Sequence, residues 1–361
     1  MKTLATDHQP VIDVHAHVLI PALQQVVAAG DPEGFAALQA LEVRRNGPES
    51  MAASGVMIKE RWQQLTDLDR RLADMDAQGV DVQLVSPSPS HFYYFAGAEL
   101  ALTLAKQANK AVRDLVDGAP DRLNGLGLAP LQHPHLMVEA LEHAVQECGL
   151  PGVEIGSFAG TPGDPGDGER TTVELSDPRL EPFWSRAEEL GALVFLHPFG
   201  CSLDERLDRF YLANTVSQPA ENAVALSHLI FSGVLDRYPD LQILAAHGGG
   251  YLPTTIGRSD HAWKVRPEAR RCAEPPSSYL QRIFFDSLVH NPRELRALIE
   301  AAGPSQVMLG SDYPFDMGAD HPVDEVHAAG LSEADSSRIL AGNAARLGIT
   351  SAAALTARPT A

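Results

Sequence analysis

Residues 11–17 are Val-Ile-Asp-Val-His-Ala-His, a run rich in β-branched residues that ends in a His-x-His pair. Side chains two positions apart in a strand point to the same face, so His15 and His17 can reach one cation from a rigid element. The run therefore predicts a buried strand that carries a metal site at its carboxyl end.

Three later apolar runs also end on one ionisable residue that is closely followed by glycine or proline. These terminal residues are His197, His247 and Asp312. Short apolar runs bounded in this way are typical of buried strands. A second His-x-His pair, His133 and His135, flanks a proline in a loop-like stretch, and we do not expect it to bind metal.

Apolar strand patterns alternate with helical patterns along the chain, which indicates an α/β fold with a parallel sheet. Eight such units favour a closed (β/α)₈ TIM barrel over an open doubly wound sheet, and no Gly-x-Gly-x-x-Gly follows the first strand. Strands are predicted at residues 11–15, 80–85, 123–128, 152–155, 192–196, 242–246, 283–286 and 307–310. Helices are predicted at residues 66–78, 99–116, 136–147, 179–190 and 220–237.

The length of 361 residues suits a single large domain, which we expect to span residues 1–349. Residues 18–62 separate the first strand from its helix by more than a loop needs. We predict that this insertion lies at the mouth of the barrel as a lid or substrate-shaping subdomain. Residues 350–361 are predicted to be a flexible tail.

The chain carries 28 basic and 47 acidic residues, a formal net charge of −19. Such a surface argues against nucleic acid or an anionic membrane as the main partner. Its three cysteines occur in unrelated contexts, as expected of reduced thiols. No secretory leader and no apolar run of about eighteen residues is evident, so we expect a cytoplasmic protein.

The residues at the strand ends form a plausible ligand set, because a barrel brings the carboxyl ends of its strands to one face. His15, His17, His197 and Asp312 supply nitrogen and oxygen ligands for one divalent ion and leave a position open, which is typical of a catalytic site. We expect Zn²⁺, with Mn²⁺ as the alternative, and no organic cofactor. His247 beside three glycines is placed to transfer protons. Any one histidine alone could instead be a core residue, but burying five polar groups without a cation would be costly.

Several of these motifs together resemble the amidohydrolase superfamily. They are Val-Ile-Asp-Val-His15-Ala-His17, Met75-Asp-Ala-Gln-Gly79-Val-Asp81, Phe-Leu-His197-Pro, His247-Gly-Gly-Gly250 and Met308-Leu-Gly-Ser-Asp312-Tyr-Pro-Phe315. More narrowly, they resemble the branch typified by 2-amino-3-carboxymuconate-6-semialdehyde decarboxylase. The resemblance runs from about Val11 to about Leu347, and the His-Gly-Gly-Gly and Gly-Ser-Asp-Tyr-Pro pieces are its most specific parts.

The resemblance implies the same four ligands, with His247 as the acid–base residue and a homodimer as the assembly. It also implies that Arg258 binds a substrate carboxylate, either within its own chain or across the dimer interface. A second family arginine matches Lys59 here, with Arg61 two residues on, and lysine cannot form a bidentate fork. Either cation could equally be a solvated surface residue. Phe199 and Phe315 could wall a planar substrate or simply pack at the barrel mouth.

The resemblance further implies a carboxy-lyase that releases CO₂ from a small aromatic, enol or muconate-type acid without oxygen. Either Asp312 or His247 could supply the proton. A metal-dependent hydrolase or hydratase remains an alternative, because Glu154 on the fourth strand could bridge a second ion. A non-catalytic metal-binding protein is a further alternative, although such a protein has no need of His247 beside an open site.

Overall fold

A computed structural model of the protein describes residues 9–160 and 172–351. Eight parallel strands form its centre, and the third is interrupted at Leu126. They are β1 (Ile12–Val18), β2 (Val82–Pro87), β3 (Leu123–Gly125 and Gly127–Leu128), β4 (Gly152–Ile155), β5 (Leu193–Leu196), β6 (Gln242–Ala245), β7 (Phe284–Asp286) and β8 (Val307–Met308). All eight predicted strands are present.

The strands close into a barrel. β1 pairs with β2, and β2 pairs with the first half of β3. The second half of β3 pairs with β4, and β5, β6, β7 and β8 then follow in order around the barrel. On the other side, the backbone N–H of Val14 donates to Leu309 O at 2.9 Å, and that of His17 donates to Tyr313 O at 2.7 Å. β1 therefore meets the segment that begins at β8, and the predicted (β/α)₈ barrel is confirmed.

Helices surround the strands. Within the described ranges the α-helices are α1 (Pro21–Gly30), α2 (Pro32–Glu60), α3 (Trp62–Thr66), α4 (Leu68–Gln78), α5 (Ala98–Gly118), α6 (Met137–Glu142), α7 (Glu181–Glu189), α8 (Leu212–Thr215), α9 (Ser217–Phe231), α10 (Val234–Arg237), α11 (Leu252–Val265), α12 (Pro292–Ala302), α13 (Pro322–Ala328), α14 (Glu333–Ser337) and α15 (Asn343–Arg346). None of these described helices is both long enough and apolar enough to cross a bilayer.

One predicted helix is divided in two. The prediction of a single helix over residues 220–237 was wrong, because α9 ends before Ser232 and α10 begins after Gly233. Gly233 has φ of 74°, in the left-handed region that interrupts a right-handed helix. α4, by contrast, ends as predicted at Gly79, whose φ is 73°.

The segment predicted as an insertion folds largely as α1 and α2. None of the α2 residues is buried, and the helix bends at Gly47, which precedes Pro48. From α2, Arg45 donates to Cys201 O at 3.0 Å, so the segment contacts the chain that follows β5. Its role as a lid stays a prediction. In the predicted tail, residues 352–361 lie outside the described residues.

Two apolar clusters stabilise the barrel. The inner one fills the space enclosed by the strands, and it includes Val14, Leu84, Phe195, Leu244 and Met308. The outer one packs the helices against the strands. Each buried large side chain contributes roughly 1.5–3 kcal/mol relative to an exposed one. The rigid framework that results holds the strand ends in place.

Gly152 provides a test of this framework, because it pairs with Leu193 between β4 and β5. A Cβ atom at residue 152 would lie 1.9 Å from Leu193 O, a backbone atom. We expect Gly152→Ala to lower the free energy of unfolding by roughly 2 kcal/mol or more, as an overpacked core residue does. Urea unfolding would measure the change.

The matched control is Gly55→Ala in α2, where a Cβ atom would meet nothing within 4 Å. Alanine is favoured over glycine in a helix by about 1 kcal/mol, so this variant should be as stable as the parent or more stable. Equal stability of Gly152→Ala and the parent would contradict the close β4–β5 pairing.

Candidate metal centre

The two imidazoles of β1 face one point at the carboxyl end of the barrel. His15 and His17 are fully buried, and their Nε2 atoms lie 3.1 Å apart. The alternation of side chains along a strand brings both to one face. Every residue of β1 is buried, and its pairing with β2 holds the backbone in place.

His197 and Asp312 complete a group of four donors. Asp312 Oδ1 lies 3.2 Å from His17 Nε2 and 3.5 Å from His15 Nε2. One ligand atom from each of the four residues lies within 4.8 Å of the others, and all four residues are buried. Ligands about 2.1 Å from a tetrahedral ion are about 3.4 Å apart. The structure therefore brings together the four residues that the sequence predicted as ligands.

The hydrogen bonds around this group leave the same ring atom of each histidine facing inward. Nδ1 of His15, His17 and His197 contacts Asp286 Oδ2 at 2.6 Å, Ser86 Oγ at 3.1 Å and Pro198 O at 2.9 Å, respectively. Each Nε2 atom thus keeps its lone pair for a ligand at the centre.

Two of the inward atoms, His197 Nε2 and Asp312 Oδ1, have no hydrogen-bond partner among the described residues although both are buried. Leaving a buried polar atom unpaired costs roughly 1–3 kcal/mol. A divalent cation would satisfy all four inward atoms at once, because three imidazoles and one carboxylate are ligands that such ions accept. The residues present therefore fit a bound metal ion.

Burial and charge move the pKa values of three of these groups toward their metal-binding forms. Burial lowers the pKa of His17 to about 4, and burial with the neighbouring imidazoles holds the pKa of His197 well below its ordinary value. Burial alone would raise the pKa of Asp312, but the contacts with His17 and His247, together with the charges of His15 and His17, outweigh burial and hold the pKa well below the ordinary value. Near neutral pH the two histidines are neutral and the aspartate is ionised, as metal ligands must be.

His247 stands next to this group without belonging to it. Its ring centre lies 4.9 Å from that of His197, and its Nε2 lies 3.8 Å from Asp312 Oδ2. The residue is half-buried, and its φ of 53° is unusual for a residue with a side chain. Three glycines follow, and a Cβ atom at Gly250 would lie 2.1 Å from Pro219 O. This tight turn aims His247 at the space beside the ligands.

A cavity of about 500 Å³ opens at this end of the barrel, with His247 and Asp312 in its lining. Leu288, Val289 and Leu298 give it an apolar side, while Asn214, Thr215 and Gln218 contribute polar groups. The described residues that line it include neither lysine nor arginine. The cavity has the size and character of a site for a small organic molecule.

Sequence reasoning missed Asp286, the last residue of β7. The residue is fully buried and its Oδ2 contacts His15 Nδ1. Burial alone would lower the pKa of His15, but the hydrogen bond to this carboxylate, together with the negative charges of Asp312, Asp286 and Asp13, outweighs burial and raises the pKa. The signal was present, because residues 283–286 are an apolar run that stops on one ionisable residue, as the ligand strands do.

A second buried network behind β1 was also missed. Ser311 Oγ donates to Asp13 Oδ2 at 2.6 Å, and Gln83 Nε2 donates to the same oxygen at 3.0 Å. Arg71 of α4 donates to Gln83 Oε1 and to His17 O, both at 2.6 Å. The network joins β1, β2, α4 and the segment after β8, directly beneath the ligands.

A family model described as amidohydrolase matches residues 12–347. This chain belongs to the amidohydrolase family. The matched range includes the eight barrel strands, the four-donor group, His247 and Asp286.

The similarity to known proteins extends along nearly the whole chain. The 2-amino-3-carboxymuconate-6-semialdehyde decarboxylase of Dictyostelium discoideum is 33% identical over 339 residues, which cover 92% of this chain and 90% of that protein. The structure of a 2,6-dihydroxybenzoate decarboxylase in complex with 2,6-dihydroxybenzoate matches with a TM-score of 0.76 and 26% identity, covering 94% of this chain and 99% of that one. The structure of a dihydroxybenzoic acid decarboxylase from Polaromonas sp. JS666, with bound manganese and the inhibitor 2-nitroresorcinol, matches with a TM-score of 0.76 and 24% identity. The match covers 94% of this chain and 97% of that one.

In this amidohydrolase, none of the three cations predicted to meet a substrate carboxylate lines the cavity of its own chain. Lys59 is exposed on α2, and Arg258 is exposed on α11. Arg61 donates to Pro314 O at 2.8 Å and to Phe315 O at 3.3 Å. Arg61 is therefore placed to brace the backbone after Asp312.

The two predicted aromatic walls of the amidohydrolase site lie in different surroundings. The ring of Phe315 is half-buried, with its centre 5.5 Å from that of His17, so it borders the ligand group. The ring of Phe199 packs edge-on against Phe92, with centres 6.2 Å apart. For both residues, contact with substrate stays a prediction.

Glu154, considered above as a bridge to a second ion, lies at the end of β4 outside the four-donor group. Its Oε1 is 4.0 Å from His17 Nδ1, the ring atom that points away from the other ligands. Neither carboxyl oxygen has a hydrogen-bond partner among the described residues. Burial raises the pKa of this carboxyl well above its ordinary value. This position favours a site with a single ion.

His17→Asn tests the proposed ligand set by metal content. The parent should hold one ion per chain after mild dialysis against a chelator, and the variant close to none, because a site that lacks a ligand loses most of its affinity. Elemental analysis would measure the ratio. His135→Asn is the control, since His135 is exposed in the short 3-10 helix Pro134–Leu136 and is not one of the four donors, and it should keep one ion. Two ions per chain in the parent would contradict the single-ion site.

Proposed function

We propose that this amidohydrolase is a metal-dependent, non-oxidative decarboxylase, a carboxy-lyase that releases CO₂ from a small aromatic or enol-type carboxylic acid. One observation carries the proposal: four buried donors converge beside a cavity into which His247 also points. The relatives reported above are named as decarboxylases, and one of them was solved with a hydroxylated aromatic acid bound.

The cavity supports a small planar acid as the substrate. Ligand pockets of roughly 300–1,000 Å³ enclose molecules of up to drug size, and this one measures about 500 Å³. Its apolar side can pack against a ring, while its amide and hydroxyl groups can bind substrate hydroxyls. A catechol, salicylate, pyridine or muconate skeleton is compatible with these surroundings.

His15, His17, His197 and Asp312 would hold the divalent ion. When bound, such an ion acts as a Lewis acid on a substrate oxygen next to the carboxylate. The chain itself orients the ring against the apolar wall formed by Leu288, Val289 and Leu298. A proton adds to the carbon that bears the carboxylate, the bond between this carbon and the carboxylate then breaks with release of CO₂, and its electron pair returns to the ring or enol.

We assign the handling of that proton to His247. It borders the cavity, it is not one of the four donors, and its Nε2 lies 3.8 Å from Asp312 Oδ2. An imidazole in this position can hold and pass a proton at Nε2. Asp312 borders the cavity too, but its carboxylate is required as a ligand.

The alternative functions are less well supported. A hydrolase or hydratase with two bridged ions would use a carboxylate from β4, whereas Glu154 lies on the far side of His17. A non-catalytic metal-binding protein would have no use for a histidine aimed into a cavity by a strained turn. The decarboxylases named above do not favour either alternative.

Three finer proposals accompany this function. Zn²⁺ and Mn²⁺ share such ligand sets, and manganese is present in the Polaromonas structure, so we propose that both ions support activity. We also propose a homodimer, because Arg258 is exposed and does not line the cavity of its own chain. A cytoplasmic location follows from the sequence as a prediction.

His247→Asn tests the function and the division of roles. The parent, loaded with Zn²⁺ or Mn²⁺, is screened against ortho-hydroxy aromatic and muconate acids by loss of ultraviolet absorbance together with bicarbonate release. We expect the variant to lose at least ~100-fold in kcat, as general acid–base catalysts do, while its metal content stays at the parental ratio. Loss of metal in the variant would show that His247 is a ligand, and full turnover would move the proton transfer to Asp312.

The homodimer follows from the position of Arg258. This cation is exposed on α11, the cavity of its own chain has no lysine or arginine in its described lining, and the substrate is an anion. A second copy that places its Arg258 at the cavity would supply the missing positive charge. A guanidinium binds a carboxylate in bidentate fashion, which lysine cannot do.

Mixing two impaired variants tests this arrangement, with rates measured at a substrate concentration far below KM, where each variant alone is slow. Arg258→Ala should raise KM about 10-fold or more, because an ion-paired hydrogen bond to the substrate is lost. When Arg258→Ala and His247→Asn subunits are unfolded and refolded together in equal amounts, half of the dimers are mixed and each has one complete site. About a quarter of the parental activity should then return. No recovery would place Arg258 at its own site or outside catalysis.

A further inference from the structure

We propose that Asp286 is a positioning residue that holds the metal ligand His15 and the acid–base residue His247 in a fixed relation to one another. The inference rests on the proposed function for the role of His247. It goes beyond that function because one carboxylate, from a strand that carries none of the four donors, would position both halves of the site. These halves are the four-donor group, which includes His15, and the acid–base residue His247.

The two oxygens of Asp286 make four contacts. Oδ2 lies 2.6 Å from His15 Nδ1 and accepts the backbone N–H of His247 at 2.9 Å. Oδ1 accepts the backbone N–H of Gly248 at 2.9 Å and that of Leu288 at 3.1 Å. The carboxylate is fully buried, so these contacts are not shared with bulk solvent.

These contacts explain how the turn at His247 is held. Its φ of 53° lies in the left-handed region, which is unfavourable for a residue with a side chain. The hydrogen bonds from two successive N–H groups to one carboxylate favour this conformation over its alternatives. Because the same carboxylate fixes the ring of His15, a displacement of Asp286 moves the metal ligand and the acid–base residue together.

An amide cannot replace this carboxylate. Asp286 faces donors on all four sides, and Asn would direct its NH₂ group at some of them while its single oxygen serves the others. Asp286→Asn therefore opposes donor to donor beside His15 Nδ1 or beside the backbone of residues 247 and 248. The variant should disturb both halves of the site.

Asn222 offers a matched comparison. This residue of α9 is fully buried, and its Nδ2 donates to Ala246 O at 2.7 Å. It thus holds the backbone next to His247 with no contact to His15. Asn222→Ser should loosen only the half of the site that carries His247.

The experiment measures metal affinity, hydrogen exchange and turnover in the two variants. For Asp286→Asn we expect the Kd for Zn²⁺, from competition with a chromogenic chelator, to rise about 10–100-fold, as for other partners of metal-bound histidines. We also expect faster exchange of the amides of residues 247 and 248 and, at saturating metal, a kcat at least ~10-fold lower with KM little changed. For Asn222→Ser we expect faster exchange and a lower kcat, with a Kd for Zn²⁺ within about twofold of the parent.

Parental Kd and parental exchange in Asp286→Asn would overturn the inference. A Kd for Zn²⁺ that rises equally in Asn222→Ser would also overturn it, because general loosening of the barrel would then explain both results. Asp286→Ser removes the carboxylate without placing an NH₂ group against His15. If the amide variant does not fold, this variant should show the same weaker Zn²⁺ binding, faster exchange and lower kcat. Metal affinity and exchange need no substrate, so they test Asp286 even if no acid is decarboxylated.

Discussion

Three imidazoles and a carboxylate, all buried, point at one another across a few ångströms, and the rest of the site is arranged around that fact. Such a group is unfavourable without a partner at its centre, because each inward atom has lost its hydrogen bonds to water. The atom on the outer side of each ring does not add to this cost, because it makes a hydrogen bond within the protein. Nδ1 of every ligand histidine has its own partner, a carboxylate, a hydroxyl or a backbone carbonyl. These partners fix the orientation of the rings, so that only Nε2 remains for a metal ion.

The support behind the four candidate ligands comes from buried groups, among them Arg71 and Asp13. Arg71 is the central cation, since it binds the carbonyl of His17 and lies 4.9 Å from the ring centre of Tyr313, the residue after the carboxylate ligand. Asp13 accepts hydrogen bonds from Ser311 and Gln83, and so ties β1 to its two neighbours in the barrel. The closure of the barrel and the geometry of the ligands thus depend on the same hydrogen bonds.

Much of the fold and of the candidate site could be predicted from the sequence. The eight barrel strands could be found because buried parallel strands are apolar runs that end sharply, and the four candidate ligands could be found because each stands at such an end. The helix predicted over residues 220–237 could not be divided correctly, since Gly233 alone does not reveal that its φ is positive. Asp286 was overlooked although its strand was predicted to its last residue. Its importance lies in the contact with His15, 271 residues away.

Local patterns in the sequence determined which residues end the strands, which of these can bind a metal ion, and that strands and helices alternate into a barrel. These properties depend on residue type and spacing over a few positions, so they can be inferred without coordinates. Only the tertiary structure decided the partners. Asp286 contacts His15, Arg61 donates to the backbone carbonyl of Pro314, and Glu154 lies on the outer side of His17. These pairs join segments that lie far apart in the chain, and they meet only because the barrel closes and aligns the ends of its strands.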